Sequence, residues 1–179
     1  MKICVFGAEG LTGGHVIGQA LKRGWQVVGV DRDEPHDPYQ GPAIEYRTAD
    51  VLEDDLSKPV TGCDAVISAL GVGNDPRTLL DPPPLYTEGT RRIVEGMRGA
   101  GVSRLVAISA TFVATQERGP LHFRVPAMIA LDRIFDQMRE METMLRGMDD
   151  LEWTAVRPGW LMAGEATDDY TVQDRKSVV

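Results

Sequence analysis

The chain has 179 residues, a formal net charge of −8, 42% hydrophobic residues and 26% charged residues. So acidic a chain repels nucleic-acid phosphates and anionic lipid, and the sequence predicts neither as a partner. No apolar run reaches the roughly 18 residues of a membrane span, and no signal peptide precedes the first strand. We therefore expect a single cytoplasmic domain, residues 1–179.

The cysteines and histidines argue against a metal centre. Cys4 falls within the first apolar run and Cys63 precedes another, which predicts two reduced thiols in or near the core. His15, His36 and His122 occur singly, and no spacing matches a metal-ligand pattern. We expect no bound metal.

Short β-type runs alternate with helical patterns along the chain. The predicted elements are strand 2–6, helix 12–23, strands 26–31, 44–48 and 64–70, helix 85–101, strand 104–109, helix 127–147 and strand 152–157. Segments 33–43, 74–84 and 111–128 are predicted loops, and the methionines of helix 127–147 predict a core-facing stripe. Repeated strand–helix–strand units with apolar strands predict an α/β fold: a Rossmann-like, doubly wound parallel sheet in three α/β/α layers.

The segment GAEGLTGGHV, residues 7–16, follows the first strand and opens the first helix. Gly7 suits a tight turn, Gly10 the close approach of a pyrophosphate, and Gly13 close packing of helix on strand. The helix N-terminus presents unpaired N–H groups to an anion, and the Thr12 hydroxyl can add a donor. This context predicts a dinucleotide site rather than a turn that merely needs glycine.

Two charged residues at the end of the second strand favour different cofactors. Asp31 lies 18 residues beyond Gly13, close to the roughly 20 expected for an acid that binds the ribose hydroxyls of NAD. Its carboxylate would repel the 2′-phosphate of NADP, whereas Arg32 could pair with that phosphate or stack on the adenine. These two residues therefore leave the choice between NAD and NADP undecided.

Five motifs occur in an order typical of atypical short-chain dehydrogenase/reductases: GAEGLTG, TADV (48–51), GCDAVISALG (62–71), EGTRRIVEGMRGAGVSRLVAISA (88–110) and LEWTAVRPGWL (151–161). From residue 2 to about 178 the chain resembles the biliverdin-IXβ reductase/flavin reductase family. The resemblance implies an NAD(P)-binding Rossmann-like fold and favours NADP(H). Asp31 lies where the flavin reductase has an apolar residue, which keeps NAD(H) open.

The resemblance also implies roles for the matched positions. It assigns the pyrophosphate to Gly7, Gly10, Leu11, Thr12 and Gly13, the 2′-phosphate to Arg32, the adenine to Asp50 and Val51, the ribose to Ala69, Leu70 and Gly71, and the nicotinamide to Ser109, Pro158, Gly159 and Trp160. It further implies a helix and a strand beyond Val179, so we expect the C-terminal end to be truncated relative to the family.

No Tyr-x-x-x-Lys pair is present, which disfavours the usual alcohol–ketone chemistry. Flavin reductase-like members also lack the pair, and there the cofactor supplies the hydride while solvent supplies the proton.

Ser109 is the candidate catalytic residue, because its hydroxyl could form a hydrogen bond to the carboxamide or to an acceptor oxygen. The alternative is that Ser109 is a strand-end serine whose hydroxyl bonds the backbone. His122, Phe123 and Trp160 are candidate substrate contacts. Ala110 and Trp160 depart from the family, which has serine and histidine there.

The sequence thus predicts an NAD(P)H-dependent oxidoreductase that transfers hydride to a flavin, a quinone or another conjugated small molecule. We expect a monomer or weak homo-oligomer. One alternative is a non-catalytic NAD(P)-binding sensor or regulatory protein. A second is a sugar-nucleotide epimerase-like protein, which VVGVDRD (27–33) suggests, although that chemistry relies on the missing tyrosine.

Overall fold

Strands and helices alternate along the chain. The computed structural model describes residues 1–73, 78, 81–111, 113, 121–159 and 172, with backbone alone at 121–130. The strands are β1 (Lys2–Phe6), β2 (Gln26–Asp31), β3 (Ile44–Thr48), β4 (Ala65–Ser68), β5 (Arg104–Ile108) and β6 (Glu152–Val156). The helices are α1 (Leu11–Lys22), α2 (Ser57–Val60), α3 (Thr90–Ala100), which a π-helical turn at Leu85–Gly89 precedes, and α4 (Leu121–Arg146).

The six strands form one parallel sheet in the order β3-β2-β1-β4-β5-β6. The chain fills one half of the sheet outward from β1 and then returns to add β4 on its other side. The strand order therefore reverses between β1 and β4, and in doubly wound sheets ligands bind outside the carboxyl ends of the strands at such a reversal. The predicted Rossmann-like fold is confirmed.

Alternate residues of the strands pack against opposite layers of helix. In β1, Ile3 and Val5 pack with Ile17 of α1. Cys4 and Phe6 face the other way, into a larger cluster shared with α2, α3 and α4. The sheet is thus covered on both faces, which explains why its central strands are nearly continuous apolar runs.

The helices depart most from the sequence prediction, whereas every predicted strand end is right to within two residues. α4 begins at Leu121 instead of residue 127, so the loop prediction for 111–128 is wrong over its last part. Pro126 removes one amide donor in the second turn of α4 without ending the helix there. Met138 and Met141 are buried, as predicted.

None of the helices in the described part of the chain has the length and apolar character needed to cross a bilayer.

The start of α1 approaches the end of β1 very closely. Gly7 has φ +79°, a left-handed value that glycine adopts without strain. A Cβ on Gly13 would lie 1.9 Å from the Gly7 carbonyl oxygen, which is far inside van der Waals contact. Glycine at position 13 therefore allows the N-terminus of α1 to stand directly over the carboxyl end of β1.

We expect Gly13→Ala to lower the free energy of unfolding by about 1–3 kcal/mol, because α1 must move away from β1 to accept the methyl group. Gly14→Ala is the matched control. Its Cβ would meet the Ala8 carbonyl oxygen at an ordinary 4.0 Å, and alanine is about 1 kcal/mol better than glycine inside a helix. Urea denaturation followed by circular dichroism measures both variants. Equal stability of the two would contradict the close-packing argument.

Candidate functional site

A cleft of about 990 Å³ lies outside the carboxyl ends of the strands. Five strands each contribute the residue that follows them, and β6 contributes the second residue after its end. These six are Gly7, Arg32, Ala49, Ala69, Ser109 and Pro158. The cleft therefore draws on all six strands and spans the reversal of strand order.

Most of the predicted cofactor residues line this cleft. Of the predicted set, Gly13 does not, because it packs beneath the turn against Gly7, and Trp160 lies outside the described residues. His122 and Phe123 belong to the first turn of α4, where the backbone alone is described. The roles of all these residues as ligands stay predictions.

The glycine turn presents the N-terminus of α1 to the cleft. Gly10 is the N-cap and, as a glycine, has no side chain that could cap the first amides of α1. The first turn of α1 carries no acidic residue. The amides of a first helical turn have no partners within the helix, and their partial positive charge suits a phosphate. The nearby Glu9 carboxylate accepts a hydrogen bond from the His36 backbone N–H at 2.9 Å, so it holds the loop between β2 and β3.

Asp31 is fixed at the edge of the cleft by two backbone amides. Its Oδ2 accepts from the Glu9 N–H at 2.9 Å, and its Oδ1 accepts from the Arg32 N–H at 2.8 Å. The Arg32 side chain is 73% exposed, and its Nε lies 3.5 Å from the Asp33 carboxylate, a surface contact that adds little stability. The carboxylate is therefore held in place, whereas the guanidinium is only loosely held.

A buried carboxylate lies beside Ser109. Glu142 of α4 is 1% exposed, and its Oε1 accepts from the Ser109 hydroxyl at 2.7 Å and from Arg157 Nε at 2.8 Å. Its Oε2 accepts from the other arm of Arg157 and, at 3.2 Å, from Arg146. The hydrogen of Ser109 is therefore donated to Glu142 and not to the backbone, a partner that the sequence did not predict.

Opposing effects act on the ionisation of Glu142. Burial favours its protonated form, but hydrogen bonds from Arg157 and Ser109, with the charges of Arg157 and Arg146, hold the pKa of the carboxyl below its ordinary value. The same contact raises the pKa of Arg157. Glu142 is therefore an ionised acceptor whose two oxygens are both satisfied.

A signal for Glu142 is present in the sequence. It lies four residues after Met138 and seven after Phe135, so all three share the apolar face of α4. A carboxylate on such a face must be paired with a cation, since an unpaired buried charge is very costly. The pattern identifies the need for a partner but does not say which arginine meets it.

Tyr86 is a further cleft residue that the sequence did not predict. It is 6% exposed and lines the cleft. Burial raises the pKa of its phenol, and the Val72 backbone offsets part of that rise. Tyr86 therefore stays protonated at neutral pH.

One wall of the cleft is apolar. Leu131, Phe135 and Met138 follow one another at helical spacing along α4 and line this wall. Ala110 and Ile108 line the cleft beside them, at the end of β5. The cleft thus pairs a polar glycine turn with a surface suited to a flat hydrophobic molecule.

A model of the NAD(P)H-binding protein family matches residues 7–179. The chain belongs to this NAD(P)H-binding family. A curated relative, a 3-diazoavenalumate denitrifying reductase from a Streptomyces species, is 31% identical over a 138-residue alignment that covers 68% of this chain and 41% of that protein. The chain therefore spans about two fifths of the length of that relative.

Solved structures share the fold. ChuY, an anaerobillin reductase from Escherichia coli O157:H7, matches 98% of this chain and 81% of its own with a TM-score of 0.74 at 19% identity. A protein provisionally assigned as an NADH-flavin reductase, from Streptococcus pneumoniae, matches 88% and 71% with a TM-score of 0.63 at 25% identity. Together with the family match, these likenesses confirm the predicted resemblance to atypical short-chain reductases.

The cleft of this NAD(P)H-binding chain fits a dinucleotide. A Cβ on Gly10 would lie 3.3 Å from the Gly7 carbonyl oxygen, tighter than an ordinary contact, and one on Gly7 would lie 2.6 Å from the Ala69 carbonyl oxygen. The turn is therefore kept bare of side chains at these two positions, as close approach by a pyrophosphate requires.

We expect Glu142→Gln to destabilise the fold by about 1.5–3 kcal/mol at neutral pH, the range for hydrogen bonds to a charged group. Because the folded-state pKa of Glu142 is lowered, its contribution is complete above the unfolded-state value, near 4.3. It is lost as the pH falls through the lower folded-state pKa. The difference in unfolding free energy between wild type and variant should therefore shrink on acidification.

Urea denaturation at neutral and acidic pH measures this dependence. Glu140→Gln is the matched control, since Glu140 lies two residues away on the same helix and is exposed. Its effect on stability should be small at both pH values. A Glu142→Gln effect that is equally large in acid would show that the carboxylate charge is not what stabilises the network.

Proposed function

We propose that the chain is a reductase that binds a reduced nicotinamide dinucleotide in the cleft and faces it with a flat conjugated acceptor, such as a flavin or a quinone. One observation supports this most: the same cleft contains both the glycine turn at the N-terminus of α1 and the apolar wall of α4. When bound, the cofactor supplies a hydride, and solvent supplies the accompanying proton. The reductase names of the relatives agree with this chemistry.

In this proposal the residues of the chain hold and orient the two reactants. The glycine turn and the α1 N-terminus hold the pyrophosphate, and Asp50 with Val51 flanks the adenine. Ala69, Leu70 and Gly71 line the ribose. The nicotinamide lies among Ser109, Pro158, Gly159 and Trp160, as the family resemblance implies. The acceptor packs on the α4 wall, where apolar contact can align it with little need for charged partners.

We propose NADH rather than NADPH as the preferred cofactor. Three carboxylates, those of Glu9, Asp31 and Asp50, line the cleft against one cation, Arg32, among the described lining residues. The 2′-phosphate of NADPH would add further negative charge close to Asp31, which two amides hold in place. A loosely held arginine compensates poorly for that repulsion, whereas a fixed carboxylate suits the ribose hydroxyls of NADH. This proposal differs from the NADP(H) preference that the resemblance implies.

Asp31→Asn tests this choice, since it removes the charge but keeps an oxygen that can accept from the Glu9 amide. We expect wild type to bind NADH more tightly than NADPH, and the variant to narrow that ratio by about tenfold or more, the scale of hydrogen bonds to charged groups. Fluorescence titration of both reduced dinucleotides measures the ratio. Glu34→Gln, an exposed change three residues away and outside the cleft lining, should leave it unaltered.

Arg32→Ala provides the opposing test. If wild type prefers NADPH and Arg32→Ala alone abolishes that preference, the cofactor is NADP(H) and our assignment is wrong.

The acceptor can be tested through the apolar wall. We expect the purified protein to oxidise NADH with a flavin or quinone, and Leu131→Ala to raise the KM for the acceptor about 3- to 10-fold by removing apolar contact. The Kd for NADH, measured separately, should not change. Tight cofactor binding with no oxidation by any flavin or quinone would instead support the non-catalytic sensor.

We also propose a cytoplasmic location. Cys4 and Cys63 are both buried and unpaired, and burial raises the pKa of each thiol. Unreactive, reduced thiols of this kind are usual in proteins of reducing compartments.

A further inference from the structure

The contact between Ser109 and Glu142 fixes what the serine can offer to a molecule in the cleft. A serine hydroxyl has one hydrogen and two lone pairs, and an ionised carboxylate can only accept. The hydrogen on the 2.7 Å line between Ser109 Oγ and Glu142 Oε1 therefore comes from the serine. Ser109 lines the cleft and is 2% exposed, so a group that reached its oxygen from the cleft would meet lone pairs and no hydrogen.

The surroundings of Glu142 prevent the reverse arrangement. A protonated Glu142 could donate to Ser109 and release the serine hydrogen towards the cleft. Arg157 donates to both carboxylate oxygens and Arg146 donates to one. These two positively charged donors favour the ionised carboxylate over a protonated one, which would have a hydrogen to donate to Ser109. The direction of the hydrogen bond from Ser109 is thus imposed by two arginines.

We propose that Glu142 is a positioning residue that makes Ser109 a hydrogen-bond acceptor for the amide NH₂ of the nicotinamide carboxamide. The inference rests on the proposed function, because the dinucleotide brings that amide into the cleft. A carboxamide has a carbonyl oxygen on one side and an NH₂ donor on the other. An oxygen that can only accept selects the orientation in which the NH₂ faces the end of β5.

This role differs from a purely structural one. Glu142 also joins the ends of β5 and β6, because Arg157 directly precedes the cleft residues Pro158 and Gly159. A structural role alone would change the affinity for every dinucleotide by the same factor when Glu142 is altered. The positioning role changes the preference between dinucleotides that differ in the amide alone.

Calorimetric titration with NAD⁺ and with 3-acetylpyridine adenine dinucleotide separates the two roles. The analogue keeps the carbonyl oxygen but carries a methyl group in place of the NH₂. We expect wild type to bind NAD⁺ roughly 2- to 12-fold more tightly, the factor that corresponds to one net hydrogen bond. Ser109→Ala should bring this ratio close to one while leaving the affinity for the analogue nearly unchanged.

Glu142→Gln should also bring the ratio close to one. The Oε2 position accepts from both Arg157 and Arg146, so the glutamine oxygen will take that position at the loss of the Arg157 Nε contact. The NH₂ then faces Ser109, donates to it and turns the serine hydrogen towards the cleft. Glu140→Gln, on the exposed side of the same helix, should keep the wild-type ratio. If Glu142→Gln does not fold, Glu142→Asp keeps the charge but shortens the side chain by one methylene, and it too should lower the ratio.

The outcomes are distinguishable. Wild type that binds neither these two dinucleotides nor NADP⁺ would refute the proposed function itself. Wild type that binds both equally, or a preference for NAD⁺ that survives in Ser109→Ala, would overturn the role of Ser109 while leaving the function intact. A preference lost in Ser109→Ala but retained in folded Glu142→Gln or Glu142→Asp would overturn the role of Glu142.

Discussion

The cleft depends first on how closely α1 can approach β1. With no Cβ at Gly13, the helix N-terminus stands over the Gly7 carbonyl, and with no Cβ at Gly7 the turn also lies against the Ala69 carbonyl after β4. β1 and β4 are the strands between which the sheet reverses its order. The absence of side chains at Gly7 and Gly13 thus brings together the turn, the loop after β4 and the N-terminus of α1. Larger residues at these two positions would separate them.

Much of this arrangement could be predicted because its determinants are local. The apolar stretches within Lys2–Phe6 and Gln26–Asp31 are bounded by glycine, glutamine or charged residues, so their limits can be identified from the sequence. The glycine turn between the first strand and helix is likewise a short-range pattern. The start of α4 was missed because Pro126 usually marks a boundary, and whether a proline ends a helix depends on what the helix packs against.

The Glu142 network could not be predicted in the same way. Its members Ser109, Glu142 and Arg157 lie far apart in the chain, and they meet because β6 pairs with β5 in one register while α4 turns one face to the sheet. A shift of one residue in that register would point Arg157 to the opposite face. Sequence periodicity shows that Glu142 is buried, but the identity of its partners is a property of the assembled sheet.

The direction of one hydrogen bond also bears on which acceptors suit the site. If the hydrogen of Ser109 is committed to Glu142, the serine cannot protonate an acceptor oxygen, and the Tyr–Lys pair that performs this task in other short-chain dehydrogenases is missing from the sequence. A simple ketone that received a hydride without a proton would become a poorly stabilised alkoxide. A flavin or a quinone spreads the same charge over a conjugated system until water protonates it. The apolar α4 wall and the commitment of Ser109 therefore favour the same class of acceptor for independent physical reasons.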